Sequence, residues 1–416
     1  MTASLAPIAA LLLSVAFLLM GNGLQGTLLP IRASIEAFST LEVGILGSSY
    51  FLGFATGCIC GPGVVRRVGH IRAFTAMVSI ASTVALVHAL VPNPVVWWLL
   101  RAATGFCFAV LYMIIESWLN ERSTNETRGS IFSIYTIINL SVLTLGQLMI
   151  ILYDPAMFPL FALASILVSI AAVPVALTTA PAPAPLGDVR IRIRRLFGIS
   201  PVGFGGCLAV GLANGSFWAL GPVFAQQSGM NVAGVAFFMS VTVIAGALGQ
   251  WPLGRASDMI DRRKVIIGAC LAGALAGVGM VVFNDFWDRG ILAFSFLFGV
   301  FAFPLYALAV AHTNDFVPPK DYVEVASGLL LVFAIGAVIG PMVASAIMAL
   351  AGPDGLFGFT AFVHGTMALF TIYRMRMRAR PPEQERAAFR ESLLTAQTVS
   401  PMDPAAKSEG EEEPAT

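Results

Sequence analysis

The chain has 416 residues, 57% of them apolar and only 11% charged, with a formal net charge of +1 and a mean hydropathy of +0.83. Residues 196–254 carry no Asp, Glu, Lys or Arg, a run of 59 residues that no soluble core accommodates and that can cross a bilayer twice at about 20 residues per crossing. The composition therefore excludes a soluble protein, and the balanced charge excludes a nucleic-acid partner.

Apolar runs between charges and breakers predict twelve helices, at about 6–31, 42–64, 73–92, 96–119, 129–153, 157–179, 200–226, 232–254, 265–284, 290–312, 323–350 and 354–374. These lengths suit helices rather than barrel strands. The first run starts near residue 6 without a charged leader or a small-residue cleavage site, so it reads as a first span rather than a signal peptide. The five cysteines all lie inside apolar runs and read as small packing residues. Trp97, Trp98, Trp118, Trp251 and Trp287 fall near predicted helix ends, as an interfacial belt requires, whereas Trp218 lies well inside helix 7.

One set of loops carries Arg66, Arg67 and Arg72, then Arg122 and Arg128, the cluster Arg190–Arg195, Arg255 with Arg262, Arg263 and Lys264, Lys320, and Arg374–Arg380. The opposite loops carry only Arg32 and Arg289. The positive-inside rule makes the crowded side cytoplasmic, with both termini inside.

Residues 180–199 pass from a Pro-Ala stretch into a basic one, with six helices on either side. They divide the chain into an N-terminal bundle (1–179), a cytoplasmic linker (180–199), a C-terminal bundle (200–376) and a polar tail (377–416) expected to remain disordered. The halves repeat. At a shift of 192 Asn22 meets Asn214, Gly23 meets Gly215, Pro30 meets Pro222, Ser48 meets Ser240 and Gly57 meets Gly249. At 194 Gly105 meets Gly299, Tyr112 meets Tyr306, Asn120 meets Asn314 and Gly146 meets Gly340. An even number of helices per half makes the repeats parallel, the plan of a transporter that holds its cargo between two halves.

After helix 8 the chain reads Gly254-Arg-Ala-Ser-Asp258-Met-Ile-Asp261-Arg262-Arg263. This resembles the signature loop of the major facilitator superfamily, with Gly254, Asp258, Arg262 and Arg263 on the pattern and Met259 and Asp261 off it. After helix 2, Arg67 and Gly69 keep the pattern, and Arg66 stands where the family usually has Asp. The resemblance implies that these loops clamp neighbouring helices in one state of a transport cycle; plain cytoplasmic positive charge would produce the same residues. Leu100-Arg101-Ala-Ala-Thr104-Gly105 resembles a second superfamily motif in helix 4. The run Glu116-Ser-Trp-Leu-Asn120, followed by Arg128-Gly129 and Gly146-Gln147, resembles a bacterial branch of the superfamily. The small-residue pattern Gly336…Gly340-Pro341 in helix 11 resembles the antiporter motif of helix 5, in the wrong half, and reads as helix packing around a proline.

Arg101, Gly105, Phe108, Tyr112 and Glu116 share one helical stripe. An Arg inside a span costs about 2.5–3.5 kcal/mol on insertion scales, so Arg101 either faces a cavity or snorkels to the outer interface. Glu116 is the only carboxylate within a predicted span apart from Glu42, Glu324 and Asp354, which stand at the first or second residue of theirs. It is either a proton carrier or a helix-end residue bonded to the next loop. His364 is either a second titrating group or a structural hydrogen bonder. Asn22 and Gln25 on helix 1, Tyr135 and Asn139 on helix 5, Asn214, Phe217 and Trp218 on helix 7, and Tyr306 on helix 10 complete the candidate cavity, although amides in membrane helices also serve as interhelical glue.

No nucleotide loop, metal cluster or nucleophile–base arrangement is visible, so neither a cofactor nor an enzyme activity is expected. The expectation is an all-α membrane protein of two pseudo-symmetric six-helix bundles, a monomer of the bacterial inner membrane. It moves a small organic solute by alternating access, coupled to protons, with export somewhat favoured. Import of a nutrient or vitamin-like solute is the alternative on the same fold. A non-transporting sensor or scaffold is the alternative of another class, and deletion of residues 381–416 separates it from a transporter.

Overall fold

The computed structural model describes residues 2–123, 128–177, 193–283, 290–318, 321–377 and 389. Among them twelve helices are long and apolar enough to cross a membrane. They are α1 (Ala9–Ile35), α2 (Thr40–Val68), α3 (His70–Leu90), α4 (Pro94–Glu121), α5 (Ile134–Leu152), α6 (Pro159–Ala176), α7 (Pro201–Gln227), α8 (Val232–Met259), α9 (Arg262–Phe283), α10 (Gly290–Asn314), α11 (Glu324–Ala351) and α12 (Gly355–Met377).

The packing repeats as the sequence does. In the first half α1 packs on α5 and α6, α2 on α4, and α3 on α4 and α6; in the second, α7 packs on α11 and α12, α8 on α10, and α9 on α10 and α12. The aligned glycines explain the repeat physically. A side chain at Gly105 would strike the Tyr50 carbonyl across the α2–α4 crossing, and one at Gly299 would strike the Thr242 carbonyl across α8–α10. A side chain at Gly146 would strike the Met20 carbonyl, and one at Gly340 the Leu212 carbonyl. Tyr50 and Thr242, like Met20 and Leu212, are themselves 192 positions apart. Backbone therefore rests on backbone at equivalent places in each half, an arrangement favoured in lipid, where close approach rather than apolar burial drives association.

Several elements differ from the expectation. Helix α8 continues through Gly254 and Asp258 to Met259, so these motif residues are helical rather than in a loop. Helix α10 breaks between Ala302 and Leu305, where Pro304 has no N–H to donate and its ring crowds the preceding turn. Helix α6 breaks after Ile170, the residue whose carbonyl the ring of Pro174 would meet. The last part of the expected linker is a short helix, Ile193–Ile199, held by Leu196 against Gly328 and by Arg195 ion pairs to Asp321 (2.8 Å) and Glu324 (3.2 Å). The rest of the linker, Trp287 and all of the tail but Met377 and Phe389 lie outside the described residues. Phe389, the one described residue beyond the last span, is buried.

Trp97 and Trp118 also depart from the interfacial belt. Both are buried. Trp97 packs edge-on to Phe38 (5.0 Å) and His88 (5.3 Å) and donates its indole N–H to the Val91 carbonyl at 2.8 Å. Trp251 is 71% exposed, as a belt residue should be.

Candidate functional site

Between the halves lies a cavity of about 270 Å³. Its walls come from α1 (Asn22, Gly26), α2 (Tyr50, Phe51, Phe54), α4 (Arg101, Tyr112), α5 (Leu143, Gln147), α7 (Trp218, Ala219), α8 (Met239) and α11 (Leu330, Phe333). On the side away from the basic loops the halves meet directly. Gly44 faces Ser345 and Pro341, Gly47 faces Ala219, and Gln227 reaches Thr40 at 3.5 Å. The contact reaches the cavity itself, where Phe51 meets Phe333 edge-on at 6.3 Å.

Arg101 is the one charged residue in the lining. Its guanidinium carbon stands 4.4 Å from the centre of the Tyr50 ring, a cation–π contact worth about 0.5–2 kcal/mol. Tyr50 is stacked on Phe54 at 6.3 Å, and Phe54 meets Tyr112 edge-on at 6.4 Å. Asn22 sits beside the Tyr50 hydroxyl. Arg101 Nη1 and Gln147 Oε1 are enclosed without a hydrogen-bond partner. The opposite wall is apolar: Trp218 lies against Phe303 at 5.6 Å and 30°, and Phe303 reaches it from the break in α10.

Of the expected cavity residues, Asn22, Arg101, Tyr112 and Trp218 line the cavity. The others lie elsewhere. Gln25 is buried in α1. Phe217 is fully buried among Phe238, Phe298 and Phe303. Asn214 donates to the Ala302 carbonyl at 3.4 Å. Tyr306 stands behind the lining, edge-on to Phe333 at 5.3 Å. Tyr135 is buried with Asn139 beside it and Glu116 within electrostatic reach; Glu116 also acts on Tyr112. Glu116 itself is 1% exposed. His364 is buried against Phe298 at 5.8 Å, in the C half and outside the lining.

Tyr50 and Gln147 are the polar lining residues that pattern reasoning missed. Tyr50 and Phe54 continue the face that Gly57 and Gly61 bury, at helical spacing. Gln147 follows Gly146, whose contact with α1 aims this turn of α5 inward.

The motif residues form a second constellation at the opposite end of α8. Arg262 is buried and binds Asp258 at 2.9 Å and Asp315 at 2.7 Å, and it donates to the Ala311 carbonyl at 2.7 Å, tying α8, α9 and α10 together. Arg263 binds Asp261 at 2.8 Å. Burial alone would raise the Asp261 carboxyl, but hydrogen bonds from the Arg263 side chain and backbone outweigh it and hold the carboxyl below its ordinary value. Phe389 places its ring over Gly254 and donates its N–H to Asp258 at 3.0 Å. In the first half Arg67 is exposed, and Gly69 ends α2 at φ +85°, a conformation that favours glycine.

Sequence and structure comparisons agree on the architecture. The profile of the Major Facilitator Superfamily matches residues 11–289 and 203–408. The MFS-type transporter YcaD of Escherichia coli O17:K52:H18 is 26% identical over 350 residues, covering 82% of this chain and 89% of the relative. The fold superposes on the nucleoside transporter NupG with a TM-score of 0.72 at 12% identity, over 91% of this chain and 100% of that one. It superposes on a bacterial homologue of the human lysosomal transporter Spinster with a TM-score of 0.70 at 16% identity, over 91% and 97%.

Proposed function

The chain belongs to the major facilitator superfamily, a family of membrane transporters rather than enzymes, and from that premise we propose that it is a secondary active transporter carrying a small organic solute by alternating access. The observation that supports this reading is the cavity of about 270 Å³, walled by helices of both halves and bounded on one side by the contacts of Gly44, Gly47 and Thr40 with α7 and α11. A rocking of one half on the other would break those contacts and expose the cavity to the other compartment.

With the basic loops on the cytoplasmic side, the protein sits in the bacterial inner membrane as a monomer with both termini inside, and this conformer is the one closed to the exterior. Protons are the proposed coupling ion. Glu116 is the proposed carrier, since it is the buried carboxylate electrostatically linked to Tyr112 in the cavity wall. Export is the favoured direction.

Spin-label distances test the cycle. One pair at Leu41 and Gln227 reports the outer rim, and one at Arg67 and Ile260 reports the inner rim. The expected result in proteoliposomes is reciprocal change, one pair lengthening as the other shortens when a proton gradient is imposed. Two fixed distances in a preparation that sustains flux would overturn alternating access. The polarity of the gradient that drives flux gives direction and coupling.

A further inference from the structure

Arg101 is a cation set in the cavity wall, and among the described residues no carboxylate forms an ion pair with it. No carboxylate lines the cavity. The charged or ionisable groups acting on the guanidinium are Tyr50, beneath it, and more weakly His88, both neutral in their ordinary states. Nη1 is enclosed without a partner. A guanidinium so placed retains its charge and has lost part of its hydration. The aromatic face under it holds the fork in position but supplies no acceptor oxygen.

The remainder of the cavity lacks a counterpart. Trp218, Phe333 and Met239 form an apolar wall contributed by the second half, and position 295, which the internal repeat aligns with Arg101, is Ser295, which bonds its own helix at Leu292. One half thus offers a bidentate cation and the other an apolar surface.

We propose that the cargo is an amphipathic organic monoanion, its carboxylate held by Arg101 and its flat apolar body lying against Trp218 and Phe333. A carboxylate matches the guanidinium fork with two parallel hydrogen bonds, and it removes the uncompensated charge that the empty cavity leaves in place. Gln147 Oε1, enclosed without a partner on the adjoining wall, accepts a donor elsewhere on the solute. This assignment rests on the cavity being the transport site, as proposed above.

The test is thermal stabilisation of the purified full-length protein by matched probes: indole-3-acetate and 3-phenylpropionate, their primary amides, and phenethylamine, each at millimolar concentration. The expected result is stabilisation by the carboxylates and little or none by the amides and the amine. Arg101→Gln should weaken carboxylate binding about tenfold to a hundredfold, the scale of a lost charge-assisted pair. Should Arg101→Gln not fold, Arg101→Lys keeps the charge without the fork and should still weaken the acids at least several-fold. Equal stabilisation by acid and amide, no stabilisation by any carboxylate, or a carboxylate shift that survives both Arg101 variants overturns the assignment. The transport-site reading has its own readout. A neutral binder that is lost on Trp218→Ala but not on Arg101→Gln keeps the cavity and sinks the anion. A bound probe unaffected by Trp218→Ala and by the cavity-filling Gly26→Phe, in a protein that still transports, sinks the cavity as well.

Discussion

Phe389 donates its backbone N–H to the Asp258 carboxylate while its ring covers Gly254, one helical turn earlier on α8. A residue beyond the last span is thereby seated on the superfamily motif of the second half. Removing the ring forfeits burial worth about 1.5–3 kcal/mol, and a larger residue at Gly254 displaces the ring. Phe389→Ala and Gly254→Val should each lower the unfolding midpoint, and the double variant should be little worse than either alone, because both delete one contact. Strict additivity in thermal melts would show that the ring does not sit there. Deletion of residues 381–416 should cost the same stability and leave flux in proteoliposomes largely intact.

Arg262 and Asp315 are both nearly buried and lie 2.7 Å apart. Breaking a buried pair from one side costs up to about 3–5 kcal/mol when the other charge is stranded; here Arg262 would keep the partly exposed Asp258. Asp315→Ala should therefore be among the most destabilising single changes at this end of the molecule. Asp258→Ala should cost less, because that side chain is 43% exposed. Exchanging both partners, Arg262→Met with Asp315→Leu, should recover much of the loss. Equal melting of the two single Asp variants would contradict the geometry.

The Asp261 carboxyl lies below its ordinary value of 3.8. A depressed carboxylate contributes stability that is full above the unfolded value and lost as pH falls through the folded one. The wild-type advantage over Asp261→Asn should be constant above about pH 5 and shrink below about pH 4, read as the difference in melting midpoint across an acid series. A difference that grows on acidification would reverse the assignment.

Gly105 and Gly299 occupy equivalent crossings, so Gly105→Val and Gly299→Val should damage folding alike, each forcing two backbones apart. Gly26, with nothing within 4 Å of an added methyl, should accept alanine with little change. Monodisperse yield and melting midpoint of the three variants decide this, and tolerance of valine at either crossing would contradict the close approach.

Twelve spans, the division into halves and the charge asymmetry of the loops were legible because lipid imposes them through composition. The internal repeat was legible because glycine is irreplaceable where carbonyls touch. Helix ends were less so: α8 runs past Gly254 to Met259 since charged residues continue a helix once it leaves the apolar layer. The break at Pro304 was visible as a residue, but its outcome, Phe303 turned onto Trp218, depends on a partner 85 positions away. The stripe on α4 found Arg101 and Tyr112, yet Phe217, beside Trp218, points into an aromatic cluster instead, since adjacent positions on a helix face different directions. Tyr50 was missed because its role comes from α4, across a crossing that periodicity within one helix does not encode.

The touching carbonyls at Gly105, Gly146, Gly299 and Gly340 leave each half without an internal slack layer. Any conformational change should then move each half as one stiff piece, and the compliant seam is where α2 meets α7 and α11. Covalently fastening that seam at a single place, for instance by a short bifunctional thiol cross-link between cysteines replacing Thr40 and Gln227, would halt turnover while leaving both halves folded.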